Sequence, residues 1–174
     1  MFGAGVLRVG PARGGFEPPQ AQLNQRAIRG NLIQVQWWQQ VVRRGHAIEV
    51  RIYAEDPAHD FRPSPGTLVA YEEPRGPGIR VDSGVYAGYT VPLEYDPILA
   101  KLIAFGDDRE TARRRLVHAL ERYTVLGVAT ATSYLRDILS HPAFVAGELA
   151  TDFIPKHFAE WTPPAKHELE AVVA

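Results

Sequence analysis

The sequence predicts an α+β fold: a mainly antiparallel sheet, followed by helices that cover one of its faces. Three observations lead there. "HAIEVRIYAED" alternates apolar Ile48, Val50 and Ile52 with Glu49, Arg51 and Tyr53, the period of two that gives a strand one apolar face. "GDDRETARRRLVHALERYTVLG" places Ala112, Leu116, Ala119, Leu120 and Tyr123 at steps of three and four, the stripe of an amphipathic helix. The strand-like segments come first and the helical ones after, and that order favours α+β over a parallel α/β sheet.

The elements follow in turn. Residues 1–44 are rich in Gly, Pro, Gln and Arg; they read as a mobile arm that ends in a short helix over "NLIQVQWWQQVVRR", where Leu32, Val35, Trp38 and Val42 fall near helical spacing. A domain is expected over 45–160. After the first strand, "DPAHDFRPSPG" breaks the pattern with three prolines and a glycine. "TLVAYEE" reads as a second strand and "PRGPG" as a turn. "IRVDS" reads as a third strand, with Ile79 and Val81 on one face and Arg80 and Asp82 on the other. "PILAKLIAF" is nearly all apolar, as expected of a strand covered on both sides, with Lys101 as the sole interruption. The long helix is expected to be capped by Asp107, with Glu110 completing a capping box, and Gly127 suits the turn beyond it. "TSYLRDIL" gives a second helix with Tyr134, Leu135, Ile138 and Leu139 on one side, and His141-Pro142 starts a third. "TDFIPKHFAEW" closes the domain, and 161–174 read as a tail or cut linker.

Composition narrows the function classes. The 174 residues hold 19 basic and 20 acidic side chains, a net charge of −1 that gives no support to nucleic-acid or anionic-membrane binding. Hydrophobic residues make up 45%, enough for a core, yet no apolar run approaches the ~18 residues of a membrane span. Cysteine is absent, which excludes disulfides and thiolate metal sites and fits a cytoplasmic location. "GAGVLRVG" lacks the G-x-G-x-x-G spacing of a nucleotide loop, and no P-loop, H-E-x-x-H or G-x-S-x-G is present. The histidines at 46, 59, 118, 141, 157 and 167 are not paired at ligand spacing, so no metal site is expected.

Two charged residues stand out. Arg80 lies mid-strand beside Asp82. It reads either as half of an ordinary strand ion pair or as a fixed cation for an anionic reactant, a task suited to a side chain that stays charged and donates through a rigid fork. Lys101 must reach water or a carboxylate such as Glu94 or Asp96, because burying an unpaired ammonium is costly; structural pairing is the reading adopted.

The ordered series "GHAIEVRIYAEDP", "FRPSPG", "IRVDSGVYAGYTVPLEYDPILAKLIAFGDDRETA", "LVHALERYTVLGVATATSYLRDIL" and "HPAFVAGELATDFIPKH" resembles the C-terminal domain of biotin carboxylase, in the form found in the biotin-containing subunit of the acetyl-, propionyl- and methylcrotonyl-CoA carboxylases. The likeness runs from about Gly45 to about Phe158, leaving residues 1–44 unmatched. It implies an enzyme family, carbon–nitrogen ligases, that uses ATP, Mg and bicarbonate to carboxylate biotin held on a carrier domain. The arginine of the family's R-x-D/E-S motif maps onto Arg80. It is implied to steady negative charge at bicarbonate and biotin, and to open into a concavity. A homodimer through this domain is also implied. The family's glycine-rich phosphate loop, Mg-binding acids, E-M-N-x-R segment and biotinyl A-M-K-M motif have no counterpart in these residues. The chain is therefore read as a fragment, a truncated product or a remnant, inactive without an ATP-grasp portion and a biotin carrier as partners. The alternative is a stand-alone, non-catalytic binding or oligomerisation module.

Overall fold

The computed structural model describes residues 44–163 and the backbone of Arg8–Val9. The helix expected over "NLIQVQWWQQVVRR" and the tail beyond 163 lie outside the described residues. Among the described residues, ten short strands and four helices follow the expected order, strands before helices, with one late strand. β1 (Arg8–Val9), β2 (His46–Tyr53), β9 (Ile98–Gly106) and β7 (Ile79–Ser83) make an antiparallel sheet in the order β1-β2-β9-β7. In the register between β2 and β9, Val50 faces Leu102 and Ile48 faces Ala104. Between β7 and β9, Val81 faces Leu102 and Asp82 faces Lys101. One sheet face therefore carries Ile48, Val50, Ile52, Ala100, Leu102 and Ala104, all buried, with Ile79 and Val81 packed beside them.

That face is covered by α1 (Arg109–Glu121), whose buried residues are Ala112, Leu116, Ala119 and Leu120, as its periodicity predicts. Behind α1 lie α2 (Thr132–Ser140), with Tyr134, Leu135, Ile138 and Leu139 buried, and α3 (Pro142–Ala146), which buries Phe144. The short α4 (Phe153–Phe158) adds Phe153 to the same core. The α1 cap is Asp108, not Asp107: its carboxylate accepts from the Thr111 N–H at 2.7 Å. The helix begins one residue later than expected, so Glu110 is not in capping-box position and instead takes two bonds from Arg113, each 2.7 Å.

Two strand expectations need correction. "TLVAYEE" does not join the main sheet. It splits into β5 (Gly66–Thr67), which pairs with β8 (Thr90–Val91), and β6 (Ala70–Glu72), which pairs with β10 (Thr124–Leu126). β10 follows α1 directly, where the sequence shows only a helix end. Gly127 then turns the chain at φ 105°, against the Thr67 carbonyl and Val69 N–H, where a side chain has neither the conformation nor the room. A further hairpin joins β3 (Glu55–Asp56) to β4 (Arg62–Pro63) around a 3-10 turn at Pro57–His59. Among the described residues, β9 is also covered on one side only: Lys101 and Ile103 are half-buried and Phe105 is 45% exposed on the face away from α1. Apolar residues on both faces of a strand do not separate two-sided cover from one free apolar face. Among the described residues, no helix is long and apolar enough to cross a membrane.

Candidate functional site

The free face of the sheet is where the charged residues of the central strands gather. Strand alternation sends Arg80 and Asp82 from β7, Lys101, Ile103 and Phe105 from β9, and Glu49 and Arg51 from β2 to that side. The register sets them in rows. Arg80 stands opposite Ile103, which faces Glu49 on the other side. Asp82 stands opposite Lys101, which faces Arg51. Glu94 and Asp96, the acids named for Lys101, form no ion pair with it here, whereas Asp82 is its cross-strand neighbour. Asp96 instead uses Oδ1 to accept from the Ile98 N–H at 3.1 Å.

Arg80 forms the strand ion pair that its sequence allows, and it does so at the surface. Its Nε donates to Asp82 Oδ1 at 2.8 Å, yet its side chain is 74% exposed and that of Asp82 is 44% exposed. The pair is thus on the surface, where ion pairs stabilise little. The bond to Asp82, followed by its negative charge, raises the guanidinium above its usual range, so it stays charged. Among the described residues, the two terminal amino groups of Arg80 have no partner. A concavity of about 620 Å³ is walled by Tyr71, Glu73, Arg75, Tyr86 and Arg122 and does not include Arg80.

A hydroxyl cluster fixes the end of β7. Tyr71 OH lies 2.7 Å from Ser83 Oγ and 2.5 Å from Tyr123 OH, and Ser83 Oγ also accepts from the Val85 N–H at 3.2 Å. Burial, more than any neighbour, pushes both tyrosines above the usual phenol range, so they remain donors rather than bases. Tyr123 is legible from the helical stripe; its bond to Tyr71 of β6, which in turn reaches Ser83 of β7, is not, because it joins residues 52 apart in sequence.

Glu55 is the group that sequence reasoning missed. It follows a strand whose alternation marks it only as a loop acid, yet it is 6% exposed and its Oε2 has no partner among the described residues. The chain is pinned just before it, at Ala54. Ala54 N–H donates to the Pro97 carbonyl at 2.9 Å, and the Ala54 carbonyl accepts from Ser64 N–H at 2.8 Å. Burial first, then the charge of Asp96, pushes the Glu55 carboxyl up to about 7. His141 and His157 also meet, ring centres 4.4 Å apart, but His141 Nδ1 accepts from the Ala143 N–H and both rings pack on Phe153. Among the described residues, no three His, Asp or Glu side chains are grouped to hold a metal ion.

Comparison with known proteins gives this geometry a context. Residues 49–156 match the family model for the biotin carboxylase C-terminal domain. The chain is 48% identical over 115 residues to a biotin carboxylase of Nostoc sp., covering 66% of this chain and 26% of that protein. It is 46% identical over 114 residues to a biotin carboxylase of Halalkalibacterium halodurans, covering 66% of this chain and 25% of that protein. Its fold is similar to the biotin carboxylase domain dimer of Hydrogenobacter thermophilus 2-oxoglutarate carboxylase, solved with MgADP, ADP and bicarbonate. There the TM-score is 0.64 at 39% identity, covering 66% of this chain and 25% of that one. The chain spans about a quarter of the length of these relatives.

Glu55 gives a pH test. Its carboxyl, about 4.5 when unfolded, titrates near 7 when folded, so the stability it permits is fully present below about pH 4.5 and is lost as pH rises through 7. The shift corresponds to a cost on the order of 3 kcal/mol above neutrality. Glu55→Gln keeps the shape and removes the ionisation. Melting followed by circular dichroism is expected to rise by roughly 5–10 °C at pH 8 and change little at pH 5. Equal shifts at both pH values would contradict the assignment.

Proposed function

The chain belongs to the biotin carboxylase C-terminal domain family, and from that premise we propose that it forms one wall of a biotin-carboxylating site in which Arg80 holds the negative charge of the reactants. The observation that carries this reading is the free end of the Arg80 guanidinium: charged, exposed on the open sheet face, and engaged only through Nε among the described residues. When a base of the complete site takes the ureido N–H proton of biotin, negative charge develops on the ureido oxygen, and the nitrogen then bonds to the carboxyl carbon of carboxyphosphate as phosphate leaves. A guanidinium offers that oxygen and bicarbonate paired donors without needing a proton of its own. Fixed donors aimed at developing charge are commonly the largest catalytic term.

Sequence supports the division of labour. These residues include no glycine-rich phosphate loop and no E-M-N-x-R segment, and phosphoryl transfer rests almost wholly on such positioning and on metal ions. ATP and Mg would be held by an ATP-grasp portion, biotin would arrive on a carrier domain, and the acceptor is read as an acyl-CoA in the cytoplasm. The pure chain is expected to show bicarbonate- and biotin-dependent ATP cleavage equal to the blank. Turnover by the pure chain, abolished by Arg80→Ala, would overturn this. In a complete carboxylase containing the chain, Arg80→Met is expected to lower biotin carboxylation by about 10²–10³ with ATP binding retained.

Self-association is part of the proposal and also supports the second reading, a module that acts by assembly. Phe105 is 45% exposed next to the half-buried Ile103, and such contiguous apolar surface favours a partner. Light scattering at rising concentration is expected to show a dimer or larger species; a monomer throughout would remove this element.

A further inference from the structure

A guanidinium has two edges that can take an oxyanion with two hydrogen bonds: the end, formed by both terminal amino groups, and the side, formed by Nε and one of them. Arg80 presents these edges unequally. Its Nε lies 2.8 Å from Asp82 Oδ1, so the side edge is occupied by a carboxylate of the same strand and the same face. Asp82 is itself steadied, since it stands opposite Lys101 in the register and the following residue, Ser83, is held by the Tyr71 hydroxyl at 2.7 Å. Ile103, opposite Arg80, offers no competing acceptor, and Glu49, one strand further, is the other acid whose charge reaches Arg80.

We propose that Asp82 is a positioning residue: by occupying the side edge of Arg80 it leaves only the end edge for an anionic reactant, and so fixes the direction from which bicarbonate or another carboxylate-like group is met. This rests on the reading of Arg80 as a reactant-holding residue. The role is not one of affinity. An acid beside the cation repels an anion, so removing it leaves attraction intact or greater while freeing a long side chain and opening a second mode of approach.

The test uses this chain labelled with ¹⁵N-arginine, with the Arg80 side-chain signals identified by their loss in Arg80→Lys. Without added anion, the Arg80 Hε proton is expected to exchange with water up to about fivefold faster in Asp82→Asn, the worth of an exposed ion pair. Asp82→Glu is expected to restore slow exchange, and melting to stay unchanged in both. Titration with bicarbonate is expected to move the terminal amino signals of Arg80 in the parent chain while Nε stays in place; in Asp82→Asn, Nε moves as well. A parent Nε that moves as far as the terminal nitrogens, or Hε exchange untouched by Asp82→Asn, overturns the role of Asp82. If bicarbonate moves no Arg80 signal in any variant, the reading of Arg80 as an anion-holding residue fails, and the edge assignment falls with it.

Discussion

The pairing of β7 with β9 decides what each side chain of "IRVDS" can do. With Val81 opposite Leu102 and Asp82 opposite Lys101, the apolar members of β7 meet the helices and the charged ones meet the open side. A slip of one residue would turn Arg80 and Asp82 into the layer occupied by α1 and place Val81 outside. Burying such a pair among Leu102, Ala104 and Leu116 carries a desolvation cost that a surface pair does not meet. The core therefore specifies the register, and the register delivers Arg80 to its face. The Tyr71, Tyr123 and Ser83 hydroxyls reinforce the same pairing by fixing the strand where it leaves the sheet.

Two acids show how environment separates roles. Asp82 is half-exposed and bonded to an arginine, so its charge persists at little cost to the fold. Glu55 is enclosed, has an oxygen without a partner among the described residues and lies within reach of the charge of Asp96, so its ionisation works against the fold. The first arrangement suits a surface that orients an anionic reactant. The second makes stability depend on pH.

What is legible in the sequence follows from the range of the interactions concerned. Period-two and period-3.6 patterns are local, so β2, β7, α1 and α2 can be read from them, as can the burial of Ala112, Leu116, Ala119, Leu120 and Tyr123. The placing of Arg80 and Asp82 on one face follows from alternation alone. β10 is not legible, because three residues after a helix become a strand only through Ala70–Glu72, more than 50 positions earlier. The free face of β9 escapes the pattern since Ile103 and Phe105 look like core residues. Asp107 and Asp108 are interchangeable by composition, and only the Thr111 N–H chooses between them. The motif series points to the family without any of this geometry, while the burial of Glu55 depends on chain contacts with Ser64 and Pro97 that no local pattern encodes.

The central claim is that Arg80 is held for reactants and not for the fold, and thermal unfolding of Arg80→Met beside the parent chain tests it most directly. An exposed residue outside the core is expected to shift the melting temperature by no more than about 2 °C. A fall on the order of 10 °C, the size produced by truncating one partner of a buried ion pair, would show that Arg80 and Asp82 hold the sheet together and would contradict the claim.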